Sequence, residues 1–437
     1  MQAQTEIMKA TPLKNILLVT LFAFIATGAF AQADVDSPYS LFGVGQLSDC
    51  SMNVRLKGMG GVGNAIYGGG LINTCNPATL AKMDSLAFLF DAGVYFKTSS
   101  FSTSTKSEPG ANASFDYVAL AFGLTDWWKT ALGVKPYSTS GYKMVVTGHG
   151  EGMGDYHTVF KGTGGINQVF WTNAFRLGKH FSIGVNASYL FGDAQSVTTI
   201  YPDSTYILGT RYGYDMMASS FMFDYGLMYN TDLGSDMNIS VGLTYQQPFK
   251  LRGKQTTFIR SIMESMDDEV EYLIDTIHYA SDAVARPHMA MPQGFGVGVA
   301  LQKNNHWVLG LDFNWTQWSH FAREGATEAL KDSWRVAAGF EFMPTYSSVS
   351  GYFRRVHYRV GGSFERGFLY LNNHHINKVG ISAGVSLPLP RTLSKVNIAV
   401  ELGQYGTKQD GLILERYLKF DLGVSVFERW FIKRRYK

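Results

Sequence analysis

Met237-Asn238-Ile239-Ser240-Val241-Gly242-Leu243-Thr244-Tyr245 decides the fold. Every odd position is apolar and every even one is polar or glycine. That period of two belongs to a strand with one oily and one wet face. The pattern recurs in Phe181, Ile183, Val185, Ala187 and Tyr189, in Phe221, Phe223, Tyr225, Leu227 and Tyr229, and in Leu309, Leu311, Phe313 and Trp315. It recurs again toward the C-terminus, ending with Leu418, Phe420, Leu422, Val424 and Val426. Fourteen such stretches can be drawn, near 86–98, 113–124, 129–147, 156–177, 180–192, 206–231, 236–250, 292–302, 306–319, 332–344, 353–367, 376–388, 394–405 and 414–428.

Alternation alone fits a soluble sandwich with its oily face inward or a membrane barrel with its oily face to lipid. Number and connection separate them. An even strand count brings both ends to one side. Tight connections at Asp126-Trp127, Gly178-Lys179, Asp232 to Asp236, Lys303 to Asn305 and Pro388 to Leu393 alternate with long ones. The long ones are Thr98 to Asn112, Asp193 to Tyr206, Pro248 to Met291 and Ser319 to Lys331. This is the periplasm-versus-exterior asymmetry of outer-membrane barrels. The expected fold is all-β, a 14-stranded antiparallel transmembrane barrel. The acidic stretch Met263 to Glu269 and the following Tyr272 to Tyr279 read as short helices, a strand extension or a ligand-receiving lid.

Composition agrees. Of 437 residues, 17% are charged, against roughly 25% in soluble domains, while 14% are aromatic and 47 are glycine. Mean hydropathy is −0.05. A helical membrane protein needs several apolar runs of about 20 residues, and a disordered chain lacks aromatics. A formal charge of +3 gives no electrostatic footprint for nucleic acid. Lys9 and Lys14 precede an apolar run from Ile16 to Ala29, and Ala29-Phe30-Ala31 forms a cleavage signal. Residues 1–31 therefore read as a secretory signal peptide. Residues 32–85 lack sustained alternation and are rich in glycine, so they read as a hatch folded into the lumen. Residues 86–437 read as the barrel.

Arg55-Leu56-Lys57-Gly58-Met59-Gly60, running on to Asn76-Pro77-Ala78-Thr79-Leu80, resembles the N-terminal hatch of the FadL/TodX outer-membrane transporters of hydrophobic compounds. Pro292 to Gly298, followed by Leu311-Asp312-Phe313-Asn314-Trp315-Thr316-Gln317-Trp318-Ser319, resembles that family's paired strands. Arg335 with Glu341, then Tyr358 to Gly362, fits the next two. Two departures stand out: a lengthened opening, Ser37 to Gly45, and a basic tail, Glu428 to Lys437, beyond Phe427.

The resemblance implies passive uptake of long-chain fatty acids or other hydrophobic molecules. They would bind in the lumen and leave sideways through a gap in the wall beside a kinked third strand. Pro136 in the third stretch cannot donate to a ladder. With Gly133 and Gly141 it is the expected gap, or else a strand end at the outer rim. Expected ligand contacts are Phe42, Met59 and Tyr67 on the hatch and the lumen cations Lys135, Arg335 and Arg359. Parity places Asp91, Asp224, Asp312, Glu341, Glu365, Glu401, Lys419 and Asp421 in the lumen too, where buried charges need partners. The resemblance also implies a different role, since barrels resembling this family serve as accessory subunits of an outer-membrane protein secretion or assembly complex, without transport. A transporter needs an apolar path to the wall; an accessory is expected to have a blocked lumen.

Other chemistry is poorly supported. Cys50 and Cys75 either form a disulfide, worth about 3 kcal/mol for a loop of this size, or remain two shielded thiols. They have no zinc-spaced companions. Gly58 to Gly63 matches G-x-G-x-x-G, but no strand precedes it and no βαβ unit follows. His374 and His375 are adjacent, so in a strand they face opposite sides. No nucleophile motif such as G-x-S-x-G occurs. No enzyme activity, cofactor, metal or nucleic-acid partner is expected. The expected partners are a hydrophobic small molecule or lipid and other outer-membrane proteins, at the outer membrane of a Gram-negative cell.

Overall fold

The computed structural model describes residues 36–429 except for 86, 152–153, 204–206, 264–271, 282–287, 304–305, 324–329, 346–350 and 391. The expected signal peptide, the acidic stretch after Met263 and the tail beyond Arg429 lie outside the described residues. Fourteen antiparallel strands form one closed ring. They are β1 (Ala87–Ser102), β2 (Ser107–Gly123), β3 (Trp128–Thr139, continuing as Tyr142–Gly150), β4 (Gly154–Leu177), β5 (Phe181–Pro202), β6 (Gly209–Leu233) and β7 (Met237–Gln246, continuing as Phe249–Met263). Then come β8 (Tyr272–Ser281, His288–Met291 and Gly294–Lys303), β9 (Trp307–Thr316), β10 (Ser333–Phe342), β11 (His357–Arg366), β12 (Lys378–Pro388), β13 (Lys395–Gly406) and β14 (Leu414–Arg429). β14 pairs with β1 from Ala87↔Arg429 to Ser102↔Leu414, which closes the ring.

The alternation read from sequence sets the faces. Phe221, Phe223, Tyr225, Leu227 and Tyr229 point out, and Met222 and Met228 point in. β9 and β10 are 10 residues each, the length that a tilted strand needs to cross a bilayer. β4, β5 and β6 run to 24, 22 and 25 residues, so they continue well beyond it.

Three of the expected long loops are therefore mostly strand. Thr98 to Asn112 is two paired strand ends joined by a turn at 103–106. β5 runs through the expected loop at Asp193 as far as Pro202, paired to β4 and β6. Pro248 to Met291 is the extension of β7 and β8, paired from Thr256↔Ser281 to Met263↔Tyr272. The inward row of the β7 extension passes from Leu251 to Gly253, Gln255 and Thr257, and that of β5 to Gly192, Ala194, Ser196 and Thr198, so the apolar period fades there. On the tight-turn side, the connection from β10 to β11 spans 343–356 and is long.

Residues 36–83 lie against the inner wall. Asn53 caps a one-turn helix, Val54–Lys57, and Asn76 caps a 3-10 turn, Pro77–Lys82. Wall glycines make room for this segment. A Cβ at Gly361 would overlap the Met59–Gly60 backbone, and one at Gly242 would overlap the Asn64 carbonyl. Here glycine is required for close approach rather than for flexibility. Gly361→Val should leave a heat-modifiable barrel on gels but unseat the segment. Trypsin should then cut at Arg55 or Lys57 at least about tenfold faster than in the parent, since burial of those bonds is what protects them.

Candidate functional site

The wall opens at one seam. β2 and β3 pair only from Val118↔Val134 to Gly123↔Lys129. Above that level both strands carry an extra residue: Asp116 on β2 between its pairings to Gly93 and Val94, and Tyr137 on β3 between Pro136 and Ser138. Bulges bend strands and increase their twist, and the two strands diverge from there. Gly133 is still paired, to Ala119; Pro136 is the second residue past the last pair, and Gly141 lies beyond it.

The N-terminal segment occupies the exposed edge of β3. Gln46 and Leu47 pair antiparallel with Thr139 and Ser138. Ser48 N–H donates to the Tyr137 carbonyl at 2.9 Å, and the N–H groups of Asp36 and Ser37 donate to the Gly141 carbonyl at 2.7 and 3.2 Å. Residues 36–48 thus form a strap along the seam. Its start is held by Lys97 of β1, whose Nζ lies 2.9 Å from Asp36 Oδ1 and 3.0 Å from Glu415 Oε1 of β14. Asp36 also accepts from Thr139 Oγ1. Tyr39 O–H donates to the Ile413 carbonyl at 2.6 Å. Burial, the largest influence on the Asp36 carboxyl, pushes it up; Lys97 and the hydrogen bonds of Thr139, Lys97 and Asn112 outweigh it, so it sits below the usual carboxylate range. The Lys378 ammonium, foremost, holds the Asp49 carboxyl far below that range.

Below the strap the lumen is crossed by ion pairs. The one-turn helix aims Arg55 and Lys57 in different directions. Arg55 forms a fork on Glu341 of β10, with Nε–Oε2 at 2.9 Å and Nη2–Oε1 at 3.0 Å. Glu341 also receives Arg359 Nε of β11 at 2.5 Å. Lys57 meets Asp421 at 2.9 Å and Asp116 of β2. Asn53 and Tyr117 both donate to Asp91. Asp312 accepts from the N–H groups of Gly63 and Asn64 at 2.6 and 2.8 Å, and Arg335 donates to the Gly60 carbonyl at 2.8 Å. Asn76 donates to the Asn64 carbonyl at 2.7 Å and accepts from Ala78 N–H at 3.0 Å, so Asn76-Pro77-Ala78 clasps the segment's own turn. Cys50 and Cys75 are bonded, their Cα atoms 4.9 Å apart.

The space that remains is small, and charged side chains share its lining with aromatic ones. One cavity of about 280 Å³ is lined by Lys135, Asp224, Arg335, Glu365 and Lys378 with Tyr137, Trp318 and Tyr405. A neighbour of about 90 Å³ at the seam is lined by Lys57, Lys97, Asp116, Lys135, Glu401 and Lys419. Ligand pockets usually run from about 300 to 1,000 Å³ and are mostly apolar. On the exterior side an apolar cluster closes the mouth. It joins Tyr39 and Val44 of the strap to Leu190, Met216, Leu251, Met291, Trp318 and Leu412. Phe42 packs at its margin.

The six expected ligand contacts therefore do not converge. Lys135 and Arg335 line the larger cavity, Arg359 is bonded to Glu341, and Met59 is wholly buried under the wall. Phe42 belongs to the cap, and Tyr67 lines neither cavity; burial pushes its phenol up. Sequence reading missed Asp36, Lys97, Asp116 and Glu415. Lys97 shares Asp91's parity, which is a usable signal. Asp116 lies off the inward row of its own strand, Tyr117, Ala119 and Ala121, because the bulge turned it inward.

Two changes test this network. Glu341→Gln leaves Arg55 and Arg359 facing each other and should cost about 3–5 kcal/mol, read by urea titration of the folded-barrel gel band. Asp36→Asn should free the strap, read as faster amide exchange across residues 36–48. Acid should do the same. A carboxyl held below its usual 3.8 stabilises the fold above that value and loses its contribution as pH falls. Strap protection, corrected for intrinsic rates, should fall between about pH 5 and 2.

Solved structures of the same shape include toluene transporters. A Pseudomonas aeruginosa FadL homologue superposes with a TM-score of 0.59 at 11% identity, covering 88% of this chain and 100% of that one. The Ralstonia pickettii toluene transporter TbuX gives 0.58 at 14%, covering 87% and 99%. The P. putida toluene transporter TodX gives 0.58 at 14%, covering 88% and 100%. At such identities the likeness establishes the barrel fold and, with the oily outer face, an outer-membrane location. No curated protein matches the sequence. The BamG family model matches residues 13–437, nearly the whole chain, and this protein belongs to the BamG family.

Proposed function

We propose that this barrel is an accessory subunit of an outer-membrane protein assembly complex and does not itself transport a hydrophobic solute. The observation that carries this reading is the filled lumen. Arg55, Lys57, Lys97, Arg335 and Arg359 are committed to the wall or to the inner segment. The path from the larger cavity to the seam is bordered by Lys135, Asp116 and Lys97 as well as by Leu47, Pro136 and Tyr137. An acyl chain crossing it would have to displace paired charges, and breaking a buried pair costs several kcal/mol. In this reading residues 32–85 act as a fixed plug and the strap keeps the seam shut. The match to the BamG family favours an accessory role.

The second reading, passive uptake of long-chain fatty acids or other hydrophobic molecules, is favoured by the split between β2 and β3 beside Pro136. It requires the strap to leave that edge. Purification of the tagged protein from its native outer membrane in mild detergent, with mass spectrometry of everything retained, separates the two. Stoichiometric outer-membrane proteins and unchanged fatty-acid uptake in a deletion strain support the accessory role. A lone barrel carrying fatty acids, with uptake lost on deletion, overturns it.

A further inference from the structure

On β7, just past the break at Gln247-Pro248, Lys250, Arg252 and Lys254 are exposed while Leu251 between them is buried in the exterior cap. The alternation therefore turns all three cations to the outer face of the wall. Among the described residues none of them has an acidic partner within ion-pair distance. Their height on the barrel is fixed by register. The outward row of β6 is apolar or aromatic from Tyr229 through Leu227, Tyr225 and Phe223 to Phe221, then becomes Ser219, Met217 and Asp215. Arg252 pairs with Ser219 and Lys254 with Met217. The outward row of β5 makes the same change, from Tyr189 and Phe191 to Asp193, and Phe191 is the partner of Ser219. The cations thus begin where the lipid-facing aromatics end, at the headgroup level of the outer leaflet. Phe221 and Met217 beside them are 65% and 68% exposed, leaving apolar surface at the same level. Among the described residues the outward carboxylates on β5 and β6 at this level are Asp193 and Asp215, and Asp215 is bonded to Gln195 at 2.6 Å.

We propose that Lys250, Arg252 and Lys254 bind the phosphate groups of an outer-leaflet lipid, whose acyl chains lie against Phe221 and the aromatic rows below it. Three cations spaced two residues apart span about 13 Å along the strand, which suits a lipid bearing more than one phosphate. Each cation near an anionic surface contributes a separable increment. The site lies outside the lumen, so it stands whether the barrel transports or assists assembly.

The test uses the purified full-length protein and a charge-removed variant, K250Q/R252Q/K254Q, each titrated in detergent with bisphosphorylated lipid A, with enzymatically dephosphorylated lipid A and with inorganic phosphate. Bound lipid is counted by native mass spectrometry. A second variant, K106Q/K161Q/R416Q, removes the same charge from exposed positions elsewhere. The expected result is that the parent and the second variant retain bisphosphorylated lipid A and the first variant binds it at least about tenfold more weakly. Dephosphorylated lipid A and inorganic phosphate should bind none of them appreciably. Equal losses in both variants would mean a diffuse charge effect and overturn the site. So would equal retention of dephosphorylated lipid A, or binding of inorganic phosphate as tight as that of the lipid. Heat-modifiable migration of each variant confirms that the barrel is folded.

Discussion

A backbone N–H or C=O in hydrocarbon has no water to turn to, so a spanning sheet must close on itself. This barrel meets that rule around its whole circumference except between β2 and β3, where pairing ends at Val118↔Val134. The remainder follows from how that exception is repaired. Asp36, Ser37 and Ser48 give their N–H groups to β3 carbonyls that β2 has left, and Gln46–Leu47 lies along the same edge. The segment that lines the lumen is thereby also a piece of the wall.

The second constraint is charge. A lumen this narrow, filled by a peptide segment, holds its charges away from bulk water, so each must find a partner. Glu341 gathers Arg55 and Arg359; Asp421 shares Lys57 with Asp116; Lys97 ties Asp36 to Glu415. These contacts join the segment to strands on opposite sides of the ring. They fix its position more tightly than apolar packing would, because a shifted segment leaves several ions bare. The wall glycines Gly242 and Gly361 complete the fit by letting backbone meet backbone.

The barrel was legible because its period is written into every membrane-crossing strand: Met237 to Tyr245 and its repeats give the face, the count and the ring. The exterior extension of β5 was not, and that of β7 and β8 was legible only as one option among several, since the apolar row there gives way to glycine and polar residues. At the site, parity found Glu341, Arg359, Asp421 and Asp312, yet could not say which would be consumed by pairing. Asp116 was hidden because a bulge switches the inward row of β2 from odd to even positions at that residue. The strap was hidden because two paired residues, Gln46 and Leu47, are too few to show alternation, and the lengthened opening from Ser37 to Gly45 was visible only as a departure from a related pattern.

The ring closes by pairing its first strand with its last, Ala87–Ser102 with Leu414–Arg429. That seam cannot form until the final strand of the chain exists. The inner segment leads directly into β1, and Lys57 and Asp36 reach residues of β14 or their partners. Closure and seating are thus one event in time. The lumen is furnished before or as the door is shut, and a segment that misses its place would be met by a finished wall with no way in except through the seam it was meant to cover.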